Sequence, residues 1–165
     1  MTVDDLAEYG MVRMSDSDIR GFLSSQSVGV LGLPGGDTSA PVLRPLSYWF
    51  DGDSAIYFVY VLGSSSEKQR YSQQAETAQF TVYRAETPFN WRSVIVSGPL
   101  SEVPHDERPA VLEAMDIRWR PDLFERASAG TDTTLYRLDI VAQDGLKHLG
   151  LPPGLDDQSA DADEY

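Results

Sequence analysis

Three strand-forming runs follow one another between Val28 and Leu62 with only turns between them. Val28-Gly-Val-Leu-Gly-Leu33 stops at Pro34-Gly35-Gly36-Asp37, and the run from Pro41 to Phe50 stops at Asp51-Gly52-Asp53. Ala55-Ile-Tyr-Phe-Val-Tyr-Val-Leu62 then follows. Both stops carry strong turn chemistry, and the second reads as a hairpin. Pro41 and Pro45 cannot donate to a ladder, so the second run is expected at an edge, a bulge or a strand switch. Three more runs complete the pattern: Gln79–Tyr83, Trp91–Ser97 and Leu135–Val141. In Trp91–Ser97 the alternation places Val94 and Val96 on one face and Ser93, Ile95 and Ser97 on the other. The expected fold is mainly β, a six-stranded antiparallel barrel with peripheral helices. Strands do not alternate regularly with helices, which argues against a doubly wound α/β fold.

Helices are few. Ser15-Asp-Ser-Asp18 has the form that starts a helix, and Ile19, Phe22 and Leu23 then share one face to about Gln26. A second helix is expected from about Ser66 to Ala75. A third runs from Asp106 to Trp119, with Pro109 tolerated in its first turn and Pro121 interrupting it; a short fourth ends near Gly130. Residues 1–14 show no clear periodicity and read as a loosely attached N-terminal arm. Residues 15–150 form the domain. Residues 151–165 form a tail expected to be acidic and disordered.

The chain has 165 residues, 41% of them hydrophobic and 10% aromatic, which suits one domain with a real core. It has no cysteine, so disulfides, thiolate metal sites and a cysteine nucleophile are excluded. No apolar stretch reaches membrane-spanning length and the N-terminus is acidic, so the expected location is the cytoplasm. The net charge of −13 makes nucleic acid a poor partner. It suits either a cationic partner or, better, a halophilic composition in which concentrated salt screens self-repulsion, because the acids are spread along the whole chain.

Ser64-Ser65-Ser66-Glu67-Lys68 follows the third run directly and carries one of only two lysines in the chain. A serine-rich turn opening a helix offers hydroxyls, free N–H groups and an ammonium to a phosphate monoester. The same residues also read as an ordinary capped helix. Arg44-Pro45-Leu46-Ser47 puts a guanidinium and exposed backbone on the proline-marked strand, where a planar heterocycle with imide edges could bind. From these residues alone, an edge strand with a surface arginine is the better reading. Trp91-Arg92-Ser93 offers a stacking face and a bidentate cation, or a tryptophan closing a barrel end. His105 and His148 lie far apart, without carboxylates at ligand spacing, and support no metal site. No nucleophile elbow, dinucleotide fingerprint or Walker loop occurs.

Taken in order, these segments resemble the pyridoxamine phosphate oxidase-like FMN-binding split barrels. The likeness spans about Met14 to Asp144 and is strongest to the nitroimidazole-resistance and general-stress flavoproteins. It rests on Val28–Leu33, Arg44-Pro45-Leu46, Ala55–Phe58, Ser66-Glu-Lys68 and Trp91–Gly98. The resemblance implies a homodimer that holds FMN at its interface. Arg44, Pro45, Leu46 and Ser47 would border the ring, with Tyr60 and Val61 on the next strand. Ser65, Ser66 and Lys68 would hold the phosphate, and Trp91, Arg92 and Ser93 would approach from the partner subunit. The expected activity is a flavin-dependent reduction of a small electron acceptor. The alternatives are a non-catalytic module holding flavin, deazaflavin or haem, and a structural dimer with an empty pocket. Two departures stand out: Leu62 occupies a common threonine position, and Ser65-Ser66-Glu67 replaces the usual Gly-Arg, leaving Arg70 or Arg92 as compensating cation. The substrate-binding residues of the true oxidases have no match here.

Overall fold

One long strand organises the molecule. In the computed structural model, which describes residues 9–35, 40–61, 75–115 and 133–150 with Asp5, Ala7 and Ser72, that strand is β7, Asn90–Glu102. The strands before it are β1 (Met11–Arg13), β2 (Val28–Leu33), β3 (Val42–Ser47), β4 (Trp49–Phe50), β5 (Ala55–Val61) and β6 (Thr77–Thr87); β8 (Thr133–Asp139) and β9 (Ala142–Leu149) follow. The helices whose full span is described are α1 (Asp16–Ser25) and α2 (Arg108–Ala114), and Asp5, Ala7 and Ser72 are helical as well. The strands run in the order β3-β2-β6-β7-β8-β5-β4, all antiparallel, with β9 paired to both β7 and β1. The result is a curled antiparallel half-barrel.

The expected fold class holds, but six strands become nine among the described residues. The proline-marked run divides at Tyr48. Its first part, β3, ends the strand path beside β2, while its second part, β4, pairs with β5. It therefore lies at an edge and also switches partners. β9 had no counterpart in the sequence reading. The end of the segment expected as a loose arm is β1, with Met11 opposite His148 and Arg13 opposite Leu146. Met14 is buried, and its N–H donates to the Gly145 carbonyl at 2.8 Å.

Beside β6 on one flank, β7 has two partners in turn on the other. Residues 90–97 pair with β9, and residues 100–102 pair with β8. Gly98 marks the split, since a Cβ there would collide with the Asp139 carbonyl oxygen. Inside the curl, Phe80 lies edge-on to both Tyr48 and Phe58, at 5.1 and 5.0 Å between ring centroids. Val82, Val94, Val96 and Leu138 are fully buried around them. Such alternating burial is the source of the sheet's stability.

Helix α1 closes the end of the curl. The Ser15 hydroxyl accepts the Asp18 N–H at 3.1 Å, and Ile19, Phe22 and Leu23 are buried. The Tyr48 hydroxyl, itself buried, donates to the Leu23 carbonyl at 2.7 Å and fixes the helix end to the β3–β4 corner. At the β4–β5 turn, Asp51 Oδ1 accepts N–H bonds from Asp53, Ser54 and Ala55, while Gly52 takes a left-handed φ of 88° that favours glycine. Helix α2 lies over a second apolar cluster of Val103, Met115 and Leu135, joined by Trp49, Tyr57 and Val59. The helix expected over 66–75, apart from Ser72 and Ala75, lies outside the described residues. So do the short helix ending near Gly130 and the tail.

Candidate functional site

Cross-strand register decides which candidate side chains share a surface. Pro45 pairs with Val30, Val30 with Thr81, and Thr81 with Ile95. Paired residues project to the same side of a sheet. Pro45, Val30, Thr81 and Ile95 therefore form one row on the convex, outer face. The neighbouring positions Val28, Ser47, Tyr83, Trp91 and Ser93 share that face. Val28, Leu43, Tyr83 and Ile95 are all exposed there, Tyr83 at 63%. This is an apolar sheet face with hydroxyls and an indole at its margin.

The candidate segments divide between the two faces. Pro45 and Ser47 are exposed on the outer face, whereas Arg44 and Leu46 are half-buried on the core side, where Arg44 Nη1 donates to the Leu43 carbonyl at 2.9 Å. Trp91 and Ser93 face outward; Arg92 faces the core side, opposite Arg84 and Lys147. β3 and β7 are three strands apart, about 14 Å at ordinary strand spacing. One chain thus does not bring Arg44–Ser47 against Trp91–Ser93.

Tyr60 belongs to the core. Its ring is fully buried and stacked on Tyr136 at 4.6 Å, and its hydroxyl shares a 2.9 Å hydrogen bond with Ser72. Burial pushes its phenol up to about 12, against the Ser72 hydrogen bond, which acts the other way. Val61 ends β5 opposite Thr133. Ser65, Ser66 and Lys68 lie outside the described residues, as does Arg70.

His148 adds a feature that the sequence reading missed. It pairs with Trp91 across β9 and β7, is buried, and meets the rings of Phe89 and Trp91 edge-on at 5.7 and 6.0 Å. Its Nε2 has no hydrogen-bond partner among the described residues. A buried nitrogen left unpaired carries a desolvation cost that a donor or acceptor from outside the chain would relieve. Only the β7–β9 register places it beside Trp91, and no local motif announces that register.

These features define a β half-barrel with a partly apolar outer face bounded by an edge strand. The chain belongs to the pyridoxamine 5'-phosphate oxidase family, whose model matches residues 15–147. A search of curated proteins finds no match. Several solved structures share the fold. A FAD-binding protein from Mesorhizobium loti is 19% identical, with a TM-score of 0.62, 83% of this chain covered and 97% of that one. The FAD and heme binding protein of Mycobacterium smegmatis is 17% identical, with a TM-score of 0.68 and coverage of 94% and 81%. A proposed 5-nitroimidazole antibiotic resistance protein from Bacteroides thetaiotaomicron is 11% identical, with a TM-score of 0.65 and coverage of 83% and 87%. Among the described residues, no helix is long and apolar enough to cross a membrane.

Proposed function

We propose that this protein is a homodimeric FMN-binding flavoprotein that reduces a small electron acceptor. The observation that carries the reading is the outer face. Pro45 and Ser47 of the segment matching the family's flavin-bordering strand lie on the same outer sheet surface as Trp91 and Ser93 of the segment matching its partner-subunit strand, yet too far apart to close one pocket within a chain. Packing two copies by this face would bring Pro45 and Ser47 of one toward Trp91 and Ser93 of the other. It would also cover Val28, Leu43, Tyr83 and Ile95, which are otherwise exposed.

The side chains present fit a flat, neutral ring with polar edges. Pro45, Ser47, Ser93 and Trp91 bring hydroxyls and an indole without a charge. One flank of the β3 backbone has no partner strand among the described residues and can meet an imide edge. Ser65, Ser66 and Lys68 would hold the phosphate at the start of the next segment. A bound flavin would supply the hydride and electron chemistry. The chain's own share is to bind and orient, to exclude water by the dimer contact, and to wall the pocket with Trp91. No side-chain acid or base is required.

A second reading is binding without turnover, of flavin or of haem; the fold shared with a FAD and heme binding protein favours keeping it. Denaturing the purified protein and identifying the released chromophore tests the cofactor. FMN is expected; haem, deazaflavin or FAD would replace FMN, and a colourless protein that takes up no flavin would leave a structural dimer. Bleaching by NADH or NADPH and re-oxidation by an added acceptor separates a reductase from a carrier.

A further inference from the structure

Three cations stand in one lateral row at the rim of the half-barrel. Arg84 on β6 is the cross-strand partner of Arg92 on β7, and Arg92 is the partner of Lys147 on β9. All three project to the core side, one step beyond the buried row Val82, Val94 and Gly145. Like charges directly opposite on neighbouring strands repel, and this chain carries only 13 Lys and Arg against 26 Asp and Glu. Three of the cations nonetheless occupy adjacent positions.

Their neighbours neutralise the ends of the row and leave its centre. Arg84 reaches Glu86 at 2.7 Å, and Lys147 reaches Asp18 at 2.9 Å. The Lys147 ammonium, through that hydrogen bond and its charge, holds the Asp18 carboxyl below its usual value. Arg92, in the middle, is exposed and makes no ion pair or hydrogen bond among the described residues. A shallow cleft opens beside it, lined by Arg84, Glu86, Asn90, Trp91 and Arg92. Within it the Asn90 amide donates to Glu86 at 3.1 Å, which orients Glu86 between the amide and Arg84.

We infer that this rim cleft binds a small oxyanion, a phosphate or a carboxylate, with Arg92 as its principal donor and Arg84 beside it. The guanidinium fork suits either group bidentately. The cleft draws Arg92 from the opposite sheet face to Pro45, Ser47 and Ser93 and has only Trp91 in common with the proposed ring-binding surface. Trp91 forms a wall of both and provides a reporter.

Iodide quenching of tryptophan fluorescence at constant ionic strength tests the inference, on the full chain with and without added FMN. Iodide should quench Trp91 efficiently, an effect lost in Trp91→Phe, although the protein as a whole repels anions. Inorganic phosphate or succinate should protect saturably, and whichever protects at the lower concentration names the ligand class. Arg92→Ala should raise the protecting concentration at least tenfold and Arg84→Ala severalfold, while Arg13→Ala, an exposed control at another edge, should leave it unchanged. Absence of saturable protection, or protection indifferent to Arg84→Ala and Arg92→Ala, would overturn the proposal. Loss of flavin affinity in Arg84→Ala to the same extent as loss of phosphate protection would also overturn it, by assigning the row to the flavin site. A protein that binds phosphate here but no flavin would uphold this cleft and sink the flavin reading alone.

Discussion

Gly98 admits no side chain. A methyl there would overlap the Asp139 carbonyl and lie 2.9 Å from its carbon, both backbone atoms that cannot rotate away. Gly98→Ala should therefore cost about 3 kcal/mol or more, the upper range for forced overpacking, and a urea melt should show it at unchanged slope. The two buried phenols give a pH signature. Tyr60 titrates near 12 when folded against 10.0 for an unperturbed phenol, and burial also raises Tyr48. A raised folded value means that the folded state holds its proton longer. Their contribution is complete below about pH 10 and is lost as pH rises through the folded values. Melting temperature should fall steeply above pH 10, and Tyr60→Phe should flatten that fall; a flat profile in the parent protein would contradict the burial argument. Lys68 is the corresponding test for the proposed phosphate site. A charge-assisted bond is worth about 1.5–3 kcal/mol, so Lys68→Ala should weaken FMN binding about tenfold or more in a fluorescence titration.

The outer sheet face can be broken without breaking the fold. Ile95 is 44% exposed and projects away from Val94 and Val96, which are fully buried. Ile95→Asp should therefore dissociate the proposed dimer in sedimentation while leaving the far-ultraviolet dichroism unchanged; an intact dimer would place the interface elsewhere. That alternation was legible in the sequence, because the period of two in Trp91–Ser97 directly records a half-buried strand. The start of α1 was legible for the same kind of reason: Ser15 and Asp18 satisfy each other locally. Pro45 correctly marked an edge strand, since a missing N–H restricts where a strand can sit. β9 was not legible. Ala142-Gln-Asp-Gly-Leu-Lys-His-Leu149 has no clean alternation, as its core side meets Met14 and Ile19 at Gly145 and is otherwise tied down by polar links from Gln143 to Asp16 and Lys147 to Asp18. Its identity as a strand is conferred by β7 and β1. The division of Arg92 from Trp91 and Ser93 follows from alternation, but the meeting of Arg92 with Arg84 and Lys147 depends on long-range register, which no short motif encodes.

Charge bears on the molecule's proposed association. At −13 per chain, two copies repel over distances comparable to the Debye length, about 10 Å at 0.1 M salt and about 3 Å at 1 M. The proposed dimer should tighten as salt rises, and stoichiometric flavin should accompany it. Sedimentation at several salt concentrations, with flavin absorbance followed alongside mass, checks this; a monomer that retains full flavin at every concentration would rule out a shared pocket. The surface ion pair of Arg13 with Asp144 is exposed at both ends, 52% and 58%, and should contribute little to these trends. The placement of β7 has a consequence for synthesis. Its first neighbour, β6, is adjacent in sequence, but the strands on its other flank begin at Thr133 and end at Leu149. As the chain leaves the ribosome, the β6–β7 hairpin can close early and then must wait for those last strands with a hydrogen-bonding edge bare. A nascent chain stalled before Thr133 would expose that edge to every neighbouring polypeptide, so protection from premature aggregation falls to the speed of translation and to whatever chaperone meets the chain first.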